Sequence, residues 1–332
     1  MKTLHTYYHR RSLVLLLLAT FLFVNCSQGM EDKDEDTIYP IKLSASMINA
    51  TTRSVNDSQN SMFGVNTYVT IYPYKGTGTV LTDPVYGSAF PATGIDYHTS
   101  APDENSKNEL LSTIPDPSYP NENSGQVTIV GIHPVIGSET FAGSPPSYTF
   151  TVKQDQSTAA SYKLCDLMTA KTKSNRSESA IDLHFYHRLA KVTITFTSVS
   201  GTPNICKVEL LTMKPSVTVN VQTSVVGTTA SGNDTDIICY NNIDGTNVET
   251  SVSALIPAQS AKVAATPFIR FTFFGGGSIV WDLTDAVTLT AGHHYQYNLS
   301  VGLKAVGVLN TTVTDWTADG SSETGTDHTV EV

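Results

Sequence analysis

The chain has 332 residues, of which 40% are hydrophobic, 9% aromatic and only 15% charged, with 45 Thr and 33 Ser. Average soluble domains carry roughly 25% charged residues. A Thr-rich, Lys/Glu-poor chain favours pleated strands, which excludes coiled coils, helical repeats and collagen, and its apolar share excludes disorder.

The first 25 residues hold Lys2, Arg10 and Arg11 and no acid, so the net charge of −10 hides a more acidic remainder, with 17 basic against 30 acidic residues. No basic cluster follows Arg11. Such a surface repels a phosphate backbone, and nucleic acid is not an expected partner.

Behind the basic flank lies a short apolar run, Leu13 to Val24. It is too short to span a bilayer, which takes about 20 residues, and has the form of a secretory signal peptide over 1–25. Phe23-Val24-Asn25-Cys26 resembles the lipobox of bacterial lipoproteins, departing from it at Asn25, where a small Gly or Ala is usual. The resemblance implies that Cys26 carries acyl chains such as palmitate and anchors the protein in the outer membrane. Each buried methylene contributes about 0.8 kcal/mol to such an anchor.

Residues 26–37 are acidic and apolar-poor, as in a flexible tether, and resemble a signal that sends some Gram-negative lipoproteins to the cell exterior. Asp32, Asp34 and Asp36 have the opening spacing of a calcium loop. Thr37 replaces its glycine and Leu43 its bidentate acid, so calcium is rejected.

From Ile38 onward, short alternating runs broken by Gly, Pro, Asn and Asp predict antiparallel β structure. Ile41, Leu43, Ala45 and Met47 share one face of a first strand. Val69 and Ile71 alternate with tyrosines in a second, and short strands are expected at Val127–Ile132 and Tyr148–Val152. The intervening stretch is loop-rich, with prolines from Pro84 to Pro120. Lys171 to Ser179 is apolar-free and reads as a linker.

Cleaner alternation follows, in Val192, Ile194, Phe196, then Val217, Val219, Val221, then Ile269, Phe271, Phe273, then Tyr295, Tyr297, Leu299. These runs predict a second β-sandwich. The expected organisation is an N-terminal β-sandwich domain over 38–183 and a C-terminal one over 184–332. The inward phase flips around Ala190-Lys191, as a bulge or bend does.

No catalytic motif is present: no Gly-x-Ser-x-Gly elbow, phosphate loop, His-Glu-x-x-His or dinucleotide loop. His184 and His187 fall on opposite strand faces, and His293 and His294 diverge equally, so neither pair suits a metal. His187, among apolar neighbours, reads as a satisfied structural histidine. Trp281 and Trp316 read as core or sheet-edge anchors rather than sugar platforms. Beyond Cys26 there are three cysteines; Cys206 and Cys239 are candidates for a bridge or for buried free thiols. No enzyme, metal or cofactor is expected.

Five patterns occur in order behind the lipobox: Asp166-Leu167-Met168-Thr169-Ala170, Phe185-Tyr186-His187-Arg188-Leu189-Ala190-Lys191-Val192, Ala254-Leu255-Ile256-Pro257-Ala258-Gln259, Gly292-His293-His294-Tyr295-Gln296-Tyr297-Asn298-Leu299 and Val313-Thr314-Asp315-Trp316. Together they resemble the fimbrillin-like family, the type V pilins of anaerobic Gram-negative bacteria. The resemblance implies tandem transthyretin-like (Greek-key) β-sandwiches in a non-enzymatic subunit of an adhesive fimbrium on the outer membrane.

It further implies that an arginine-specific protease cuts after the first strand. The matching site is Arg53-Ser54. The groove filled by Ile41, Leu43, Ala45 and Met47 then passes to a donor strand of another pilus subunit. A host or bacterial surface ligand is a further partner it admits. After Trp316 only Ala318, Val330 and Val332 are apolar, a poor donor strand, which favours a tip or accessory subunit over the main stalk. The alternative is a surface glycan-binding lipoprotein of a nutrient-uptake system.

Overall fold

Thr, Val, Ile and aromatic residues alternate with polar ones along most of the chain, and the result is nearly all β. The computed structural model describes residues 40–47, 63–75, 83–84, 94–103, 107–112, 126–135, 147–242 and 249–316, all within the compact unit Pro40–Val332. Residues 1–25 and 26–37, read above as a leader and an acidic tether, lie outside the described residues.

In chain order come β1 (Leu43–Met47), β2 (Tyr68–Lys75), β3 (Asp83–Pro84), β4 (Ile95–Pro102), β5 (Asn108–Ser112), β6 (Val127–His133) and β7 (Ser147–Thr151). A short helix α1 (Ala159–Lys163), capped by the Thr158 side chain, precedes β8 (Met168–Ser174) and β9 (Ile181–His187). Next are β10 (Ala190–Ser198), β11 (Ile205–Met213), β12 (Ser216–Asn220), β13 (Thr235–Asn241), β14 (Ser251–Ile256) and β15 (Gln259–Lys262). The last are β16 (Pro267–Phe273), β17 (Ser278–Asp282), β18 (Val287–Leu289), β19 (His293–Val301) and β20 (Val306–Asp315).

The first nine strands, β7 excepted, form one sheet in the order β3-β2-β4-β5-β1-β9-β8-β6. β2 also pairs with β6, through Thr70–Lys75, while Tyr68–Ile71 pair with β4. The order therefore returns to β2 and closes into a ring of seven strands. Closure removes the open edges on which strands from other chains pair. All pairings in the ring are antiparallel except β1 with β9.

The apolar-free stretch from Lys171 is not a linker along its whole length. Met168–Ser174 is a strand, paired with β6 from His133↔Met168 to Val127↔Ser174. Met168, Thr169 and Ala170 are buried, and the polar residues beyond them lie nearer the surface, so no apolar alternation marks the second half of the strand.

Beyond His187 the chain crosses to a sandwich of two four-stranded sheets, β14-β10-β19-β20 and β13-β11-β16-β17. The phase flip is the crossing itself: buried positions are odd-numbered in β9 and become Val192, Ile194 and Phe196 in β10. Rings interlock across the sandwich, with Phe196–Phe271, Phe268–Tyr297 and Trp281–Tyr297 centroids each 5.5 Å apart. Trp281 and Trp316 are both only 5% exposed. β7 pairs with β12, and β15 with β18, as separate ribbons.

One apolar core runs from this sandwich to the outer face of the ring, taking in Tyr72, Val130 and Ile132. β6 is thus buried along its whole length. Cys165, Cys206 and Cys239 are free thiols, so the Cys206–Cys239 bridge considered above is not formed. Burial pushes Cys165 up to about 11 and Cys239 up to about 12, which keeps both as thiols.

Inside the ring, Gly131 on β6 is closely packed. A Cβ there lies 2.6 Å from Phe185 Cζ and 3.3 Å from Ile71 Cδ1, both in fully buried side chains. Gly131→Ala is expected to destabilise the fold by about 1–3 kcal/mol through overpacking, measured as a lower urea midpoint at unchanged slope.

Candidate functional site

The first described strand is short, and both its edges are used. Ser44 and Ala45 of β1 pair with Glu109 and Asn108 of β5, and Leu43 through Met47 pair in parallel with Ile181 through Phe185 of β9. Just before the strand, Ile181 N–H donates to Lys42 O at 2.8 Å. β1 is therefore one stave of the ring, and without it β5 and β9 face an empty lane.

Of the residues expected to fill a groove, Ile41, Leu43 and Ala45 are buried, at 0%, 3% and 0% exposure, and Met47 is half-buried. Full burial of a large aliphatic side chain contributes about 1.5–3 kcal/mol, so Ile41 and Leu43 together contribute roughly 3–6 kcal/mol. Cys26, Arg53 and Ser54 lie outside the described residues.

The outward side of β1 is polar and held from β9. Ser44 and Ser46 donate to Asp182 Oδ1 at 3.4 and 3.3 Å, and Ser46 Oγ lies 2.7 Å from His184 Nδ1. Asp182 Oδ2 receives Lys107 Nζ at 2.7 Å. Asp182 and Lys107 had no signature in the sequence. Their alignment depends on a parallel pairing between strands 138 residues apart, which periodicity does not encode.

Downstream of residues 48–62, the chain is pinned at Phe63 and Gly64. Phe63 packs edge-on against Phe185 at 5.0 Å, and its carbonyl accepts from Asn108 Nδ2 at 3.2 Å. Gly64 O accepts from Thr67 Oγ1 and Thr99 Oγ1 at 2.8 and 2.6 Å. Asn108 is wholly buried, and its Oδ1 has no hydrogen-bond partner.

A second buried polar group sits where the chain leaves the ring. His187 Nδ1 lies 2.7 Å from Asp166 Oδ1, and the ring stacks on Trp316 at 3.8 Å and 15°. Lys191 Nζ lies 5.6 Å from the Trp316 ring centroid, and burial holds its amine down to about 8. Trp316 N–H donates to Gly292 O at 2.6 Å. His187 is a structural histidine satisfied at one nitrogen only, since Nε2 is buried without a partner.

The remaining candidates are engaged elsewhere. His294 bonds Thr193 Oγ1 at 2.7 Å, and burial beside Lys191 pushes it down to about 3. Glu209 and Asp236 share Arg270 Nη1 at 3.2 Å each. Among the described residues, no three His, Cys, Asp or Glu side chains are grouped to hold a metal ion, and no helix is long and apolar enough to cross a membrane.

What the fold defines is a strand-built protein whose first described strand completes a closed sheet. Residues 52–316 match the fimbrillin-like family, and the chain belongs to that family. It is similar to a candidate cell adhesion protein of Bacteroides uniformis, at 19% identity and a TM-score of 0.59, over 84% of this chain and 98% of that one. A second, from Bacteroides ovatus, is 17% identical with a TM-score of 0.61, over 85% and 99%. Both likenesses show a shared fold. The tip fimbrial protein Mfa3 of Porphyromonas gingivalis, C-terminally truncated, is 9% identical at a TM-score of 0.46, over 83% and 99%. No curated protein sequence matches the chain.

Because Leu43 is buried in the ring and Ser44 faces outward, the two should respond differently to truncation. Leu43→Ala is expected to cost about 2–5 kcal/mol, and Ser44→Ala less than about 1.5 kcal/mol, in chemical denaturation.

Proposed function

We propose that this protein is a non-enzymatic subunit of a cell-surface fimbrium, exported as a lipoprotein through Cys26 and assembled by exchange of β1 for a strand of another subunit. Membership of the fimbrillin-like family supports the fimbrial role. The observation that carries the exchange mechanism is the position of β1 between β5 and β9, joined to the rest of the ring through residues 48–62.

While that connection is intact, β1 is held at high effective concentration and an outside strand cannot displace it. A cut between Arg53 and Ser54 makes β1 a separate segment, attached only by its backbone pairing and the burial of Ile41, Leu43 and Ala45. Phe63 and Gly64 stay anchored by Asn108, Thr67 and Thr99, so the far wall of the groove survives the cut. Loss of β1 then leaves two unpaired strand edges and an apolar lane, the conditions for β-strand addition. The poor apolar pattern of 317–332 favours a tip or accessory position over the main stalk.

Treating purified precursor with an arginine-specific protease is expected to cut after Arg53 and convert a monomer into a species that takes up a partner strand. Arg53→Ala should remain uncut there and monomeric by light scattering. Wild type that stays whole at this bond, or that never accepts a strand once cut, would refute the mechanism. Separately, Cys26→Ser is expected to abolish palmitate labelling and release the protein from the membrane fraction.

A further inference from the structure

The outward side of β1 carries information that the apolar side does not. In the parallel register, Ser44 stands directly opposite Asp182, and Ser46 opposite His184. The Asp182 side chain is only 17% exposed, and Lys107 holds its Oδ2 at 2.7 Å. That ion pair leaves Oδ1 directed at the lane that β1 fills, where it accepts from both serines. An ionised carboxylate is acceptor-only, so a short hydroxyl suits this position and a second carboxylate does not. Like charges directly opposite one another on neighbouring strands are destabilising.

We infer that the groove selects its occupant through Asp182: it takes a strand of a different subunit carrying short hydroxyls at the positions of Ser44 and Ser46, and rejects acidic strands. The inference rests on the strand-exchange reading and specifies its partner. The inward positions add to the pattern. Ile41 and Leu43 are large and buried, and Ala45 is fully buried opposite Asn108 and Leu183.

A second copy of this chain does not supply such a strand from its 317–332 segment. That segment contains Asp319, Glu323, Asp327 and Glu331. Its alternating apolar pair is Val330 and Val332; with both turned inward, Glu331 falls between them on the outward row. Placed at Ser44 it would oppose Asp182. The selection therefore works against pairing through the 317–332 segment of a second copy.

The test uses the full chain, cut after Arg53 and incubated with excess labelled peptides of the 41–47 sequence. One peptide is native, one carries Ser44→Ala and Ser46→Ala, and one carries Ser44→Asp and Ser46→Asp. Binding to the wild-type chain is expected to weaken roughly tenfold for the alanine peptide and roughly a hundredfold for the aspartate peptide. In Asp182→Asn chain, the aspartate peptide should come within about threefold of the native one. Equal binding of all three peptides by the wild-type chain overturns the inference while leaving strand exchange standing, and this arm needs no variant to fold. Undiminished rejection of the aspartate peptide by a folded Asp182→Asn chain also overturns it. If no peptide enters the cut chain, strand exchange itself fails, and the selection falls with it.

Discussion

Backbone hydrogen bonding in the first half of the molecule depends on a five-residue strand that is far from its partners in sequence. β5 and β9 each need β1, because no other described strand lies between them, and the ring needs both of its edges occupied to stay closed. A buried peptide group without a partner is costly, so filling this lane is obligatory whatever strand does it. The chain meets the requirement with its own segment, Leu43–Met47. The occupant of the lane is thus held by hydrogen bonding on both edges and by the burial of Ile41, Leu43 and Ala45.

β9 ties that lane to the rest of the protein. Its first residue, Ile181, pairs with Leu43; its last, His187, stacks under Trp316 and holds Asp166. Trp316 in turn is fixed by Gly292, whose own N–H donates to Leu189 O at 2.9 Å. The end of β20, the crossing at Arg188-Leu189 and the far end of the groove wall are therefore packed into one buried assembly. Continuous burial of Tyr72, Val130 and Ile132 against the sandwich extends that contact along β6. The groove wall is accordingly not a free ribbon: it is braced at the end remote from Ile181 by aromatic stacking and a buried hydrogen bond.

Alternation made much of this legible beforehand. The inward rows of β10, β16 and β19 follow from spacing alone, and Ile41, Leu43 and Ala45 are buried as their parity requires, with Met47 less so at the end of its strand. What escaped the sequence is pairing. β8 showed no apolar alternation beyond Ala170 because its later residues lie nearer the surface. β7 and β12 pair across the 183/184 position, which itself falls inside β9. Ring closure rests on β2 taking β4 along one edge and β6 along the other, a long-range choice that no local pattern specifies. Asp182 and Lys107 were invisible for the same reason.

The hydroxyl-rich composition becomes intelligible on the sheet exteriors. Thr193 bonds Ser253 at 2.8 Å, Thr195 bonds Ser251 at 3.2 Å and Thr312 donates to Gln296 at 3.3 Å, so neighbouring strands are joined sideways by neutral groups. Each such cross-strand pair contributes roughly 0.2–1 kcal/mol and tolerates exchange, because a hydroxyl serves as donor or acceptor. At β1 the same kind of row ends on a carboxylate instead. A carboxylate fixed by lysine accepts but cannot donate, and its charge discriminates where a hydroxyl would not. Neutral ladders thus join these sheets sideways, while beside β1 a single half-buried acid, paired with Lys107, accepts from two serines of that strand.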